Sequence, residues 1–390
     1  MKILFHRYGS ICEPDIIDAF KALNFTVIEE DAEISQKSID GETRISILAE
    51  QILMQNPVFV FSINYFPYIS EVCLRLNTLY VCLSVDCPVL ELFSASVHNS
   101  CNRIFLFDHN QYLQVRNENP ECIFHLPLGS NTDRWDHAIA SLSGKRWKYD
   151  LSFVGSLYTE KSSYAGLPLS DFDRGFMDGL IEAQLKLSAL SLIEAALPDF
   201  IIETLKNAAP DFHVLPDAFK DTDAYVAANY YLGMRISELE RIRTLNLLGE
   251  NFQIDLFTRS DTSSLKNVRC HGGVSTHIQM PEIFYRSKVN LNITMRPIQT
   301  GLSQRIWDVL GCRGFLLTNY QAEIPDYLEI GSDLDCYENL TELKEKAAFY
   351  LEHEDIRLAI AEHGYATVKQ KHTCLHRVIA MLKTIFPDDK

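Results

Sequence analysis

The chain has 390 residues, 47 % hydrophobic and 23 % charged, with a formal net charge of −16. That length is too great for one comfortable core and implies two domains; the acidity argues against general binding to nucleic acid or anionic membranes. Ten cysteines without any C-x-x-C pair argue against a structural zinc site and a thioredoxin-like motif.

Cys82, Cys122 and Cys336 lie in apolar runs and read as small core residues, reduced thiols of a cytoplasmic protein. The opening "MKILFHRYG" fits a first strand rather than a signal peptide. No run approaches the roughly 20 apolar residues that span a bilayer, so no transmembrane segment is expected.

Short apolar, β-rich runs then recur at 2–7, 25–30, 57–64, 79–86, 103–109 and 122–129. Between them lie segments of helical spacing, such as "EPDIIDAFKALN" with Ile16, Ile17, Phe20 and Leu23 on one face. Strands so nearly continuous in apolar residues are buried on both faces, as in a parallel sheet. The alternation predicts a doubly wound α/β domain over residues 1–145.

The polar stretch 141–150, "SLSGKRWKYD", reads as a linker. The pattern restarts at 150–156 and continues at 252–258, 267–273, 288–294, 314–319 and 334–339. Between Lys161 and Glu250 the sequence offers helices, among them "FMDGLIEAQLKLSALSLIEAAL", and no strand. A second α/β domain over 146–365 with a helical insertion at about 161–250 follows, and then a C-terminal helix at 366–390 that returns to the first domain. Two such domains leave a cleft, and ligands bind beyond the carboxyl ends of their strands.

The strand ends carry the candidate chemistry. Gly155 permits a tight turn after a strand, and Lys161 adds a charge; the competing reading is a plain strand-to-loop turn. His271-Gly272 closes another strand, where a glycine lets a flat ring approach the backbone. The stretch "TGLSQRIWDVLGCRGFLLTNY", 300–320, reads as a helix opening at Thr300-Gly301 and feeding a buried strand. A helix N-terminus suits a diphosphate, and Arg305 offers a fork of donors one turn in. Asp308 can accept hydrogen bonds from ribose hydroxyls, or simply pair with Arg305 at i,i+3.

Residues 285–377 resemble the C-terminal domain of CgeB-like glycosyltransferases, and "FSINYFPYISEVC" with "YVCLSVDCPVLEL" resembles the N-terminal domain often fused to it. The resemblance implies two Rossmann-like doubly wound domains facing a cleft, the glycosyltransferase B (GT-B) fold. It also implies a nucleotide-sugar donor, a UDP-sugar first among them, with no further cofactor. The acidic residue that contacts ribose falls on Asp308, shorter than the commoner Glu, and the basic residue facing the diphosphate falls on Arg305. The glycine turn falls on Gly155, with Lys161 as a second phosphate partner, and the strand-end "HG" on His271-Gly272. No clean E-x7-E pair exists: seven residues separate Thr300 from Asp308, and Thr300 is not acidic. Retaining and inverting chemistry both stay open.

Glycosyl transfer needs a stabilised leaving group, a proton acceptor and exclusion of water. Arg305, Lys161 and Gly301 serve the first without a metal. Asp333 and Asp335 form a D-x-D motif of the kind that binds metal in another glycosyltransferase fold, but they lead into an edge-type strand. Proton-acceptor candidates at first-domain strand ends are Asp86, Asp108, His109 and His6; the first three are also placed to cap a helix. The acceptor is a glycan, protein or polyol. A sugar-nucleotide epimerase and a non-catalytic nucleotide-sugar or glycan-binding scaffold are the competing functions.

Overall fold

The computed structural model describes residues 1–35, 39–187 and 191–387. The chain divides into two compact units. One comprises Met1–Asn131, Leu215–Lys220 and the chain from His372; the other comprises Thr132–Val214 and Asp221–Lys371.

The first unit is built on six parallel strands, β1 (Lys2–His6), β2 (Thr26–Glu30), β3 (Phe59–Ile63), β4 (Leu79–Ser84), β5 (Asn102–Leu106) and β6 (Ile123–His125). Their order is β2-β1-β3-β4-β5-β6. All of β3 is buried, and all of β4 beyond Leu79, which requires cover on both faces. Four helices contribute to that cover: α1 (Glu13–Ala22), α2 (Gly41–Gln55), α3 (Pro67–Arg75) and α4 (His109–Val115). From α1, Phe20 packs its ring edge-on to Phe61 at 5.2 Å. The buried Glu13 carboxylate closes the turn after β1, accepting from the N–H groups of Tyr8, Gly9 and Ser10 at 2.9–3.0 Å. The segment 215–220 joins this unit through backbone bonds from Ala95 N to Asp217 O and from Phe219 N to Phe93 O. The last helix, Cys374–Ile385, opens with a Thr373–His376 capping box and packs on α1.

The second unit holds β7 (Tyr149–Val154), β8 (Ile254–Phe257), β9 (Arg269–His271), β10 (Ser287–Asn292), β11 (Leu316–Asn319) and β12 (Asp335–Tyr337). All pair in parallel, in the order β9-β8-β7-β10-β11-β12. Around them lie α5 (Thr132–Ala140), α6 (Asp171–Leu185), α7 (Asp199–Ala208), α8 (Gly233–Gly249), α9 (Gln279–Arg286), α10 (Gln304–Gly311), α11 (Leu340–Glu352) and α12 (Glu354–Lys371). Leu151, Phe153, Leu245, Ile254, Leu291 and Phe315 belong to one core cluster. Polar side chains cross the middle of this sheet. Ser152 Oγ donates to Asn290 Oδ1 at 3.1 Å, and Asn290 Nδ2 donates to the Phe284 and Phe315 carbonyls. Buried amides so fully used fix the register of β7, β10 and β11 at little cost.

Several sequence expectations change in detail. The unit boundary falls after Asn131 rather than near 145, because α5 packs on α9, with Trp135 stacked on His277 at 6.0 Å. The long helix expected from Phe176 ends at Leu185; part of that stretch lies outside the described residues, and a short turn follows at Ile193–Ala196. Among the described residues no strand lies between 161 and 250. No described helix is long and apolar enough to cross a membrane.

Candidate active site

The order of the second sheet reverses direction between β7 and β10. In doubly wound sheets that reversal opens a crevice beyond the carboxyl ends of the two strands, where ligands bind. Gly155 and Ser156 leave β7 at this place, and Gly155 N donates to Phe257 O at 3.1 Å. Beside it, a pocket of about 250 Å³ opens beyond β7, β8 and β9. Gly155, Ser156 and Glu160 line one side, and Phe257 with Thr258–Ser260 another. Gly273 and Thr276 come from the loop after β9, and Arg305 from α10.

The walls are organised by short-range chemistry. Ser156 Oγ donates to Glu160 Oε1 at 2.6 Å and accepts from Tyr158 N at 2.7 Å, while Ser260 Oγ accepts from Leu157 N at 2.8 Å. Burial works to raise the Glu160 pKa, but the Ser156, Ser260 and Thr159 hydroxyls favour its charged form and hold it below the usual carboxylate range. Arg305 is fixed from two sides. Its Nη1 donates to Asp308 Oδ2 at 3.1 Å and meets Met280 Sδ, and its guanidinium lies 5.4 Å from the Phe284 ring centroid. The buried Asp308 also accepts from Gln304 Nε2 at 2.9 Å. A cation pinned in this way on the wall of a pocket is a ready anion site.

A family model described as "Glycosyl transferase-like" matches residues 235–383. A glycosyltransferase from Rickettsia africae ESF-5 superposes over 100 % of this chain and 99 % of its own, with TM-score 0.57 at 12 % identity. HepE from Anabaena, solved with UDP and glucose, covers 99 % of this chain and 100 % of its own, with TM-score 0.54 at 10 % identity. Sucrose-phosphate synthase from Thermosynechococcus elongatus covers 100 % of both chains, with TM-score 0.54 at 10 % identity. The fold is GT-B. No curated protein matches the chain in sequence.

Within this GT-B chain the expected donor residues are placed unequally. Gly155 and Arg305 meet in the pocket. Of the "HGG" loop, Gly273 lines it, with the Arg259 side chain folded over its Cα. His271 instead stacks on Phe257 at 4.5 Å and holds the buried Asp255 through Nε2 at 2.8 Å; Gly272 lies in open space. Lys161 is exposed, its Nζ 5.7 Å from the Tyr158 ring centroid, and is outside the pocket lining. The expected helix start at Thr300-Gly301 moves: Ser303 is the N-cap and α10 begins at Gln304. Thr300 Oγ1 is drawn instead to Glu323 at 2.7 Å, and Gly301 is buried in the preceding loop. Asp308 makes the i,i+3 pair that its spacing allowed.

In the first unit, Asp86 stands exposed at the end of β4, its carboxylate accepting from Asn64 Nδ2 at 2.7 Å. It caps no helix: the next helical turn starts at Leu90 with Val89 as N-cap. Asn64 takes a left-handed φ of 59° and also accepts from Val85 N at 2.9 Å, so it clamps the end of β4. Burial and the neighbouring Asp86 and Glu13 charges push the Tyr8 phenol up. Asp108 is buried and caps α4, accepting from Gln111 N at 2.8 Å. His109 starts α4, its ring 5.0 Å from that of His125. Among the described residues no group of three or more His, Cys, Asp or Glu is arranged to hold a metal. Asp333 accepts from His363 Nδ1 and Thr367 Oγ1, and Asp335 from Lys346 and Tyr350, so the D-x-D pair is spent on structural partners.

Sequence reasoning passed over Met280 and Arg259 at the pocket, Phe284 behind the Arg305 guanidinium, and Arg241 under the Gly155 turn. For Arg241 a signal existed: it sits in the buried stripe of α8, in register with Ser237, Thr244 and Leu248. A basic residue in a buried stripe asks what its charge is for.

Proposed function

We propose that this protein is a glycosyltransferase, a CgeB-like one as the resemblance over 285–377 suggests. It would move a sugar from a nucleotide-sugar donor, a UDP-sugar in the first instance, to an acceptor hydroxyl. The observation that carries the reading is the meeting of Gly155 and Arg305 in one pocket beside the sheet's switch point. The UDP and glucose bound in the HepE structure lend it support.

In the reaction the bond from the anomeric carbon to the phosphate oxygen breaks, and a bond to the acceptor oxygen forms. The electron pair leaves with the nucleoside diphosphate, whose growing charge falls to Arg305 and, on its mobile stem, Lys161. These cations supply what a divalent ion supplies elsewhere, so the transfer is metal-independent. Asp308 keeps the Arg305 fork aimed at the pocket. In this reading the same carboxylate also accepts from the ribose hydroxyls. The acceptor proton passes to a carboxylate, and Asp86 suits this better than Asp108, whose buried oxygens cap a helix.

The test is turnover. The protein is incubated with UDP-, GDP-, dTDP- and CMP-sugars, with and without EDTA, and free nucleotide is followed. Slow, EDTA-resistant release from one class supports a transferase. Conversion of the sugar without nucleotide release indicates an epimerase, and binding with neither outcome indicates a scaffold. Dependence on a divalent ion overturns metal independence.

A further inference from the structure

The crevice between β7 and β10 holds a charge that the proposed donor site does not yet use. Arg241, on α8, is 7 % exposed. Its Nη1 donates to Ser156 O at 2.6 Å and its Nη2 to Ile293 O at 2.5 Å. It therefore ties together the chain leaving each of the two strands where the sheet reverses. The guanidinium lies 4.4 Å from the Tyr158 ring centroid and 5.3 Å from that of Phe153. Its Nε is buried and makes no hydrogen bond. No carboxylate pairs with it among the described residues. Its neighbour in sequence, Glu240, is held instead by Arg296, at 2.6 and 2.9 Å. A Cβ added at Gly155 would lie 3.9 Å from Arg241 Nη1, so the charge sits just under the turn.

Burying a cation without a counter-ion is costly. Two carbonyl dipoles and two ring faces offset part of that cost, but none of them cancels the charge. What remains is a positive potential at the crevice, felt more strongly for being out of water. A purely mechanical brace between Ser156 and Ile293 has no need of a net charge; an anion above Gly155 does. We propose that Arg241 is a positioning residue for the donor diphosphate: it fixes the Gly155–Ser156 turn and lends the phosphates positive potential from beneath, without touching them. This rests on the pocket being the donor site.

The experiment uses the full chain as wild type, Arg241→Lys and Arg241→Met. Each is titrated by calorimetry with UDP, GDP and dTDP, and with the nucleoside of whichever diphosphate binds tightest. The proposal expects Arg241→Met to weaken the diphosphate by about tenfold or more, the scale of losing a desolvated charge partner. Nucleoside affinity should stay within about twofold of wild type, because the base and ribose do not sense that charge. Arg241→Lys keeps the charge without the two-pronged brace and should retain most of the diphosphate preference. It also carries the test alone should the methionine variant not fold. Equal weakening of diphosphate and nucleoside, or loss of the preference in the lysine variant, would reduce Arg241 to a packing brace. Absence of diphosphate binding by the wild type would sink the donor-site reading itself, a different failure.

Discussion

Arg305 and Asp308 show how one pair of side chains serves both packing and chemistry. Asp308 is buried, and its charge is acceptable because Arg305 and Gln304 both donate to it. Replacing Arg305 with Met leaves that carboxylate without its counter-charge. We expect a loss of about 1–3 kcal/mol of stability in urea unfolding, less than for a fully buried pair because Gln304 remains. A stability equal to wild type would mean the pair is surface-like. The two roles were visible in the i,i+3 spacing, but the choice between ribose and Arg305 as partner was not. It depends on α9 bringing Met280 and Phe284 against the guanidinium, a contact between segments that spacing does not encode.

At the scale of elements, the central strands stood out as apolar runs, because a parallel strand covered on both faces has no polar side to interrupt it; the edge strands β2 and β9 are partly exposed and carry polar residues. Helix starts were harder to place. Thr300-Gly301 looks like an opening, yet Thr300 is drawn to Glu323 and Ser303 takes the N-cap. Close approach between elements is likewise silent in one sequence. In α12, a Cβ at Gly364 would lie 2.1 Å from Asp333 O, a backbone atom that cannot swing aside. Gly364→Ala gains about 1 kcal/mol in helix propensity, but overpacking costs about 1–3 kcal/mol. The variant should therefore melt at a lower temperature, and a rise would show the contact to be soft.

The turn after β2 offers a pH test. Burial acts to raise the Glu30 pKa, but the bond with His6 Nδ1 at 2.6 Å, the Ala32 N–H and the Arg44 charge bring it below its ordinary value. A carboxylate depressed on folding stabilises fully above its unfolded pKa, and that contribution fades as pH falls through the folded one. Glu30→Gln should lose about 1.5–3 kcal/mol at neutral pH, as for a hydrogen bond to a charged group. Its stability should then fall less steeply in acid than that of the wild type. Parallel acid profiles would remove Glu30 from the account.

At the scale of the whole molecule, two parallel six-stranded sheets were legible from periodicity, but the order of strands was not. That order places the crevice at β7 and β10, and with it Gly155, Arg305 and Arg241. The segment 215–220, which leaves the helical insertion to join the first unit, also had no local signature, since its bonds are to the backbone at Phe93 and Ala95. The central claim is that the pocket beside this crevice takes a nucleotide-sugar. The measurement that tests it most directly is thermal unfolding of wild type and Arg305→Ala in EDTA, against rising UDP-, GDP-, dTDP- and CMP-sugars. One class should stabilise the wild type by about 2.7 kcal/mol at a hundred times its dissociation constant, and Arg305→Ala should need far more ligand for the same shift. Equal stabilisation of the two proteins, or none by any class, would contradict it.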